Sequence, residues 1–416
     1  MLTPRMLCRQ VLAPRILCRR GTVVLAVLGC AASLAVLPGT PAAADTIRND
    51  QQWVLNLMNV PAAWQLTQGG GVTVAVIDSG VNPNVSDLAG SVITGPDYTG
   101  VSTRDTNPNW GVHGTWMASL IAGHGHDGDN GVIGIAPKSR ILSIRVIPDR
   151  TDPHYGRYSH EQEPAIQASL AQGIDYAVRH GAKVISMSIG YGAPNGAVKQ
   201  ALAEAFSHGV VVIASAGNSG VPGGASDAGL APESFPADYP GVISVGAVNA
   251  AGAVASFSSD NLSVLLAAPG VSVPAQGRDG QYWWVSGTSP ACALVAGVAA
   301  LIKSKYPDLP PDLVATALTS TTTARPSGGY DSEVGFGVVD AAAALAKAGE
   351  LAGDPPAPAG ITAAARFGGG PAAVAQPPVR PRSSGPLLLF VLLALISLLL
   401  AATAATRLAL LRRTSP

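Results

Sequence analysis

Val72-Thr73-Val74-Ala75-Val76-Ile77-Asp78-Ser79-Gly80 is the stretch on which the fold turns. From Val72 to Ile77 the run is almost continuously apolar and rich in β-branched residues. It lacks the period-2 alternation of a strand with one wet face, so it predicts a strand buried on both faces of a parallel sheet. The run then ends on a carboxylate. A desolvated acid needs a partner, so Asp78 is either an ordinary turn aspartate or one half of a functional pair.

Comparable apolar runs follow at 141–147, 183–189, 210–214 and 242–248, and helical patterns fall between them at 163–179 and 197–208. Strands alternating with helices predict an α/β fold, a doubly wound, mostly parallel sheet with helices on both faces. In such sheets the site forms at the carboxyl ends of the strands. Further helices are expected at 311–319 and 339–348, and the polar stretch 148–164 reads as an exposed insertion loop.

The 416 residues are 47% hydrophobic and 12% charged, with 26 basic and 26 acidic side chains. That balance gives no electrostatic basis for binding nucleic acid. Residues 1–44 have the layout of a secretory signal: Arg5, Arg9, Arg15, Arg19 and Arg20, then an apolar stretch, then Ala42-Ala43-Ala44. Residues 45–71 form a short N-terminal extension, with Trp53 and 55–58 packing on the domain surface. It is too short for a folded pro-domain. The main folded domain is expected over 72–350. A linker rich in Pro, Gly and Ala follows over 351–386. Leu387 to Ala405 carries no charge and is followed by Arg407, Arg412 and Arg413. This predicts a transmembrane helix at 387–406 and a basic cytoplasmic tail at 407–416, with the bulk of the chain outside the cytoplasmic membrane. Of Cys8, Cys18, Cys30 and Cys292, only the last survives removal of the signal, so the mature chain can form no internal disulfide. Cys292 lies in an apolar helical run and reads as a buried small hydrophobe.

Three more stretches carry candidate chemistry. Gly111-Val112-His113-Gly114-Thr115 leaves an imidazole open to neighbours at the start of an apolar helical run, as a general base requires. Ala214-Ser215-Ala216-Gly217-Asn218-Ser219-Gly220 closes an apolar strand with a side-chain amide that can donate to an oxyanion. Gly287-Thr288-Ser289 opens a small-residue helix, where a hydroxyl sits beside unpaired N–H groups and the positive end of the dipole. Each has an ordinary reading as well: a structural histidine, a turn asparagine, a helix cap. His124-Gly125-His126-Asp127-Gly128-Asp129 looks like a metal cluster at first sight. It lies in a Gly/Asp-rich turn with no distant ligand set, so a solvated turn is the preferred reading.

Four spaced blocks in order carry a resemblance. VAVIDSGV, HGTWMAS and GTSPACALVAG match the aspartate, histidine and serine motifs of the subtilisin-like serine peptidases (subtilases), and ASAGNSG matches their oxyanion block. Asp…His…Ser is the known chain order of subtilisin. The resemblance extends from Val72 to Ala348. It implies that Ser289 is the nucleophile, His113 the base and Asp78 the group that orients and stabilises the imidazole. Asn218 and the N–H of Ser289 would form the oxyanion hole. Ser186-Met187-Ser188-Ile189-Gly190 resembles the family's substrate-pairing strand, and 214–217, with Ala216 and Gly217, would wall the pocket for the residue before the scissile bond. The substrate would be a polypeptide and the mechanism needs no metal or organic cofactor. Calcium is common in subtilases, but no ligand set is legible.

The layout of signal, short extension, peptidase domain, Pro-rich linker and C-terminal span, together with VNPNVSDL at 81–88, is similar to that of the mycosins, the membrane-anchored subtilases of type VII secretion. That similarity implies a type VII secretion membrane complex as partner. The chain departs from mycosins in lacking their disulfides. Two alternatives are a generic cell-surface subtilase and a scaffold subunit of a secretion complex. The intact Asp78, His113, Asn218 and Ser289 set argues against a pure scaffold.

Overall fold

The structure is a computed structural model, and it describes residues 46–101, 109–128, 130–149, 152, 155, 163–220 and 231–353. Two short helices come first, α1 (Thr46–Leu57) and α2 (Val60–Trp64). The strand read first from the sequence is β1 (Thr73–Asp78); β2 (Val92–Asp97) and α3 (Val112–Ala122) follow it. A small hairpin, β3 (His124–His126) and β4 (Asn130–Ile133), leads to β5 (Arg140–Arg145). Helices and strands then alternate through α4 (Glu163–Arg179), β6 (Val184–Met187), α5 (Gly196–Ser207) and β7 (Val211–Ser215). Two strands, β8 (Ile243–Val248) and β9 (Val264–Pro269), precede a second hairpin of β10 (Val273–Gln276) and β11 (Tyr282–Val285). That hairpin opens into α6 (Thr288–Lys305), and α7 (Pro311–Ser320) and α8 (Ala341–Gly353) complete the described domain.

Seven strands form one sheet in the order β2-β5-β1-β6-β7-β8-β9, and every pairing is parallel. The alternation within β1 shows why its apolar run is continuous. Val74 and Val76 face one core with residues of α3, α6 and α8, whereas Ala75 and Ile77 face the other with Leu170, Ile174 and Leu202 of α4 and α5. Helices therefore cover both faces. The two sheet strands not anticipated, β2 and β9, are the two edges. β2 contains Gly95-Pro96 and is only partly buried, as an edge strand tolerates.

The central helix α6 is buried continuously from Pro290 to Ile302, which explains why its sequence is apolar on all sides. The extension read as packing on the surface is instead part of the core. Leu55, Met58, Val60 and Ala63 join the same cluster as α6. Fully buried Gln51 pairs with the backbone of Ile133, donating to its carbonyl at 2.7 Å and accepting from its N–H at 3.0 Å.

Cys292 is buried in α6 as a free thiol, and desolvation pushes its pKa up to about 11. The predicted signal segment 1–44, span 387–406 and tail 407–416 lie outside the described residues. So does the linker from Asp354 onward, since α8 runs to Gly353. Among the described residues no helix is long and apolar enough to cross a membrane.

Candidate active site

The sheet order makes β1 the switch point, with β5 on one side and β6 on the other, so the crevice opens at its carboxyl end. Asp78 is the last residue of β1 and is 2% exposed. Its Oδ1 accepts from the Ser79 N–H at 2.7 Å. Nδ1 of His113 lies 2.9 and 3.0 Å from the two carboxylate oxygens. An ionised carboxylate only accepts, so the contact sets the imidazole proton on Nδ1 and leaves Nε2 as the basic nitrogen of the neutral ring.

His113 is the second residue of α3, and the N-cap position is Gly111, with φ 70° and no side chain to cap with. Asp149 supplies the missing cap from a distant segment. Its carboxylate accepts from the backbone N–H of Val112 at 3.0 Å and of His113 at 2.8 Å. Burial pushes this carboxyl up to about 6, against the pull of those two hydrogen bonds and the imidazole. Gly114 is required by close approach, because a Cβ there would sit 2.2 Å from the Gly80 carbonyl oxygen. Its N–H donates to Ser79 Oγ at 3.1 Å, which fastens α3 to the turn after β1.

The 148–164 stretch read as an exposed loop is corrected at two residues: Asp149 and Asp152 are 4% and 3% exposed. Asp149 is drawn in by the start of α3 that it caps, and Asp152 by Arg145, buried at the end of β5 and obliged to find partners. The Arg145 Nη1 donates to Asp97 at 2.6 Å, Nε donates to the Ser79 carbonyl at 3.2 Å, and Nη2 lies 3.6 Å from Asp152.

Ser289 is the second residue of α6, following Gly287 at φ 150°. Ser188 Oγ donates to the Ser289 carbonyl at 3.3 Å. The amide of Asn218 has a defined orientation. Its Oδ1 accepts from the Thr288 N–H at 2.9 Å and from Thr288 Oγ1 at 3.0 Å. Its Nδ2 amine is thereby left as a donor, on an amide bonded to Thr288, the residue before Ser289.

These groups share one cleft of about 540 Å³, lined by Asp78, His113, Ser188, Ile189, Gly190, Asn218 and Ser289 among others. Ser186, Met187 and Ala216 do not line it. Ser186 is 2% exposed, with Oγ 3.7 Å from Cys292 Sγ, and the other two are fully buried. Both faces of β6 are core, so side chains within the strand have no route to the cleft. Gly217 does not line the cleft either, and donates its N–H to Thr288 Oγ1 at 3.2 Å. Asp149, Trp116, Trp283 and Trp284 line the cleft without having been singled out in the sequence. The signal that could have found Asp149 is the unpaired helix start after Gly111.

In the Gly/Asp-rich stretch His124, Asp127 and Gly128 are exposed, in keeping with a solvated turn, while His124–His126 form β3 of a short hairpin. His126 Nδ1 lies 2.6 Å from Asp87 Oδ1. Among the described residues no three His, Cys, Asp or Glu side chains gather as metal ligands.

A parallel α/β sheet with this cleft at its switch point defines the class, and the chain belongs to the Subtilase family, which it matches over residues 69–337. It is a subtilisin-like serine peptidase. Mycosins are among its relatives. It is 32% identical over 428 residues to mycosin-3 of Mycobacterium tuberculosis, across 92% of this chain and 87% of that one. It is also 34% identical over 261 residues to thermitase of Thermoactinomyces vulgaris, across 63% of this chain and 85% of that one. Among solved structures, the MycP3 protease from the type VII (ESX-3) secretion system superposes with a TM-score of 0.60 at 32% identity. That match covers 74% of this chain and 90% of the other.

Proposed function

We propose that the chain hydrolyses peptide bonds through an acyl-enzyme formed on Ser289. The contact of His113 Nδ1 with both oxygens of buried Asp78, in the cleft that Ser289 lines, carries this reading. His113 Nε2 takes the proton from Ser289 Oγ as the oxygen attacks the scissile carbonyl carbon. The carbonyl oxygen becomes an oxyanion, stabilised by the Ser289 N–H and Asn218 Nδ2. As the C–N bond breaks, the imidazolium returns the proton to the departing amine. Asp78 holds the ring's tautomer and balances its charge without taking the proton. Water, activated by the same imidazole, then releases the acyl group. Ser188 to Gly190, at the exit of β6, offers an edge on which the substrate backbone can lie as an added strand.

The chain is further proposed to act outside the cytoplasm, tethered to the cytoplasmic membrane by 387–406, in association with a type VII secretion complex. The apolar 387–405 stretch with its trailing arginines supports the tether. The origin of the related MycP3 protease in a type VII (ESX-3) secretion system supports the association.

An active-site fluorophosphonate probe tests the chemistry. The full-length protein is expected to be labelled and its Ser289→Ala variant, folded to the same circular dichroism, is not. Labelling that survives in the variant removes Ser289 as nucleophile.

A further inference from the structure

Three of the chain's six tryptophans lie on the cleft: Trp116, Trp283 and Trp284. Two of their rings, Trp116 and Trp283, continue outward from the imidazole. The His113 and Trp116 ring centroids are 6.3 Å apart at 69°, and Trp116 and Trp283 are 6.2 Å apart at 55°. Both spacings fall in the range where aromatic edges and faces attract. Trp283 and Trp284 are nevertheless 48% and 57% exposed, while Trp116 is partly buried.

Nothing in the hairpin covers the outer two indoles. Their cross-strand partners in β10 are Ala275 and Pro274, both too small to do so. Trp283 is still held in place. Its ring lies over Gly277, where a Cβ would come within 2.7 Å of the indole, and its Nε1 donates to Asp279 at 3.4 Å. The hairpin is anchored to the helix that bears His113, with Gln276 N–H donating to Ser119 Oγ at 3.0 Å. Trp283 is therefore held in place, and both residues line the cleft with about half of each side chain's apolar surface exposed, a costly arrangement for a surface with no ligand.

The placement also says which part of a substrate reaches them. Ser188 to Gly190 and Asn218 come from the ends of β6 and β7, on the acyl and oxyanion side. The tryptophans continue the surface of the imidazole, which hands its proton to the departing amine. We propose that Trp116, Trp283 and Trp284 form an aromatic subsite for a bulky apolar side chain, an aromatic one above all, within the first two residues after the scissile bond. This rests on the acyl-enzyme reading above.

The test uses the full-length protein and peptides with a fixed acyl portion and randomised residues after the bond, with products identified by mass spectrometry. Aromatic residues are expected to exceed glycine there by about tenfold or more in kcat/KM, the scale of discrimination a hydrophobic pocket supplies. In the Trp283→Ala/Trp284→Ala double variant, with an unchanged circular dichroism spectrum, the ratio falls to about twofold or less. The partitioning of the acyl-enzyme to added phenylalanine amide over glycine amide isolates the leaving side and should fall in parallel. A flat preference in the wild type, or one that persists in the double variant, overturns the subsite. So does an intact preference combined with lost sedimentation on phosphatidylglycerol vesicles, which would make the hairpin a membrane contact. No hydrolysis of any peptide, together with no fluorophosphonate labelling, would instead be a failure of the acyl-enzyme reading itself.

Discussion

Two histidine–aspartate contacts in this molecule are nearly identical in chemistry and differ in everything around them. Nδ1 lies 2.9 Å from the carboxylate in His113–Asp78 and 2.6 Å in His126–Asp87. The two histidine side chains are each 32% exposed, and the aspartate side chains alone are 3% and 0% exposed. The carboxylate of Asp87, however, is committed to structure. It accepts from Val132 N–H at 2.7 Å and Tyr282 OH at 3.4 Å, while the Asp87 N–H donates to Gln276 at 2.9 Å. This pins the β3–β4 hairpin to the β10–β11 hairpin. A serine is present too, but Ser86 Oγ donates to the aspartate, not to the imidazole. At Asp78 the imidazole lines a cleft with a serine at a helix start and a spare amide donor. A paired histidine becomes a candidate base through what its other nitrogen faces, and the pair alone does not supply that.

The comparison breaks most visibly if the two histidines prove interchangeable. His113→Ala is expected to lower kcat by about 10⁶, the loss known for the equivalent removal in subtilisin, with the protein still folded. Steady-state hydrolysis of a chromogenic peptide measures it. Asp78→Asn should cost about 10⁴ through the wrong imidazole tautomer. Asn218→Ala should cost about 10²–10³ in kcat with little change in KM, the signature of a donor used only in the transition state and the figure known for subtilisin's own oxyanion amide. A change confined to KM would move Asn218 out of the oxyanion hole.

Smaller effects sharpen the contrast on the stability side. Burial raises the Asp149 carboxyl from 3.8 to about 6. Between these values the folded state holds a proton that the unfolded state has released. Unfolding free energy therefore falls as pH rises from about 4 to 6, by roughly 3 kcal/mol at full ionisation. Urea unfolding at pH 4, 5, 6 and 7 should show that fall in the wild type and lose it in Asp149→Asn; equal slopes in the two proteins would contradict the assignment. His126→Ala should leave kcat/KM unchanged and cost about 1–2 kcal/mol, since a buried carboxylate loses one of several partners. A large loss of activity in this variant would mean that the structural pair reaches the chemistry after all.

The legible parts of the sequence were those where one physical requirement dominated. β1, β5, β6, β7 and β8 are buried on both faces, and their continuous apolar runs say so. α4 begins and ends where its pattern does, at Glu163 and Arg179. The edge strand β2 was invisible because its Gly95-Pro96 and half-exposed side chains carry no periodic signal. Gln51 hid the burial of α1, since a polar residue fully enclosed and paired with backbone looks like a surface residue in sequence. Within the site, Asp78 and His113 were marked by their motifs, and their contact is now a distance. Asp149 was lost in a polar stretch because its role, capping a helix that begins after glycine, exists only in three dimensions. Ser186 and Met187 were drawn in with Ser188 to Gly190 by adjacency, and only burial separates strand interior from strand exit.

The most direct measurement is peptide mapping of the fluorophosphonate adduct in the wild type, His113→Ala and His126→Ala proteins. An adduct on Ser289 is expected in the wild type and in His126→Ala at the same rate, and none on the same timescale in His113→Ala. An adduct on another residue, or equal labelling of Ser289 without His113, would contradict that expectation.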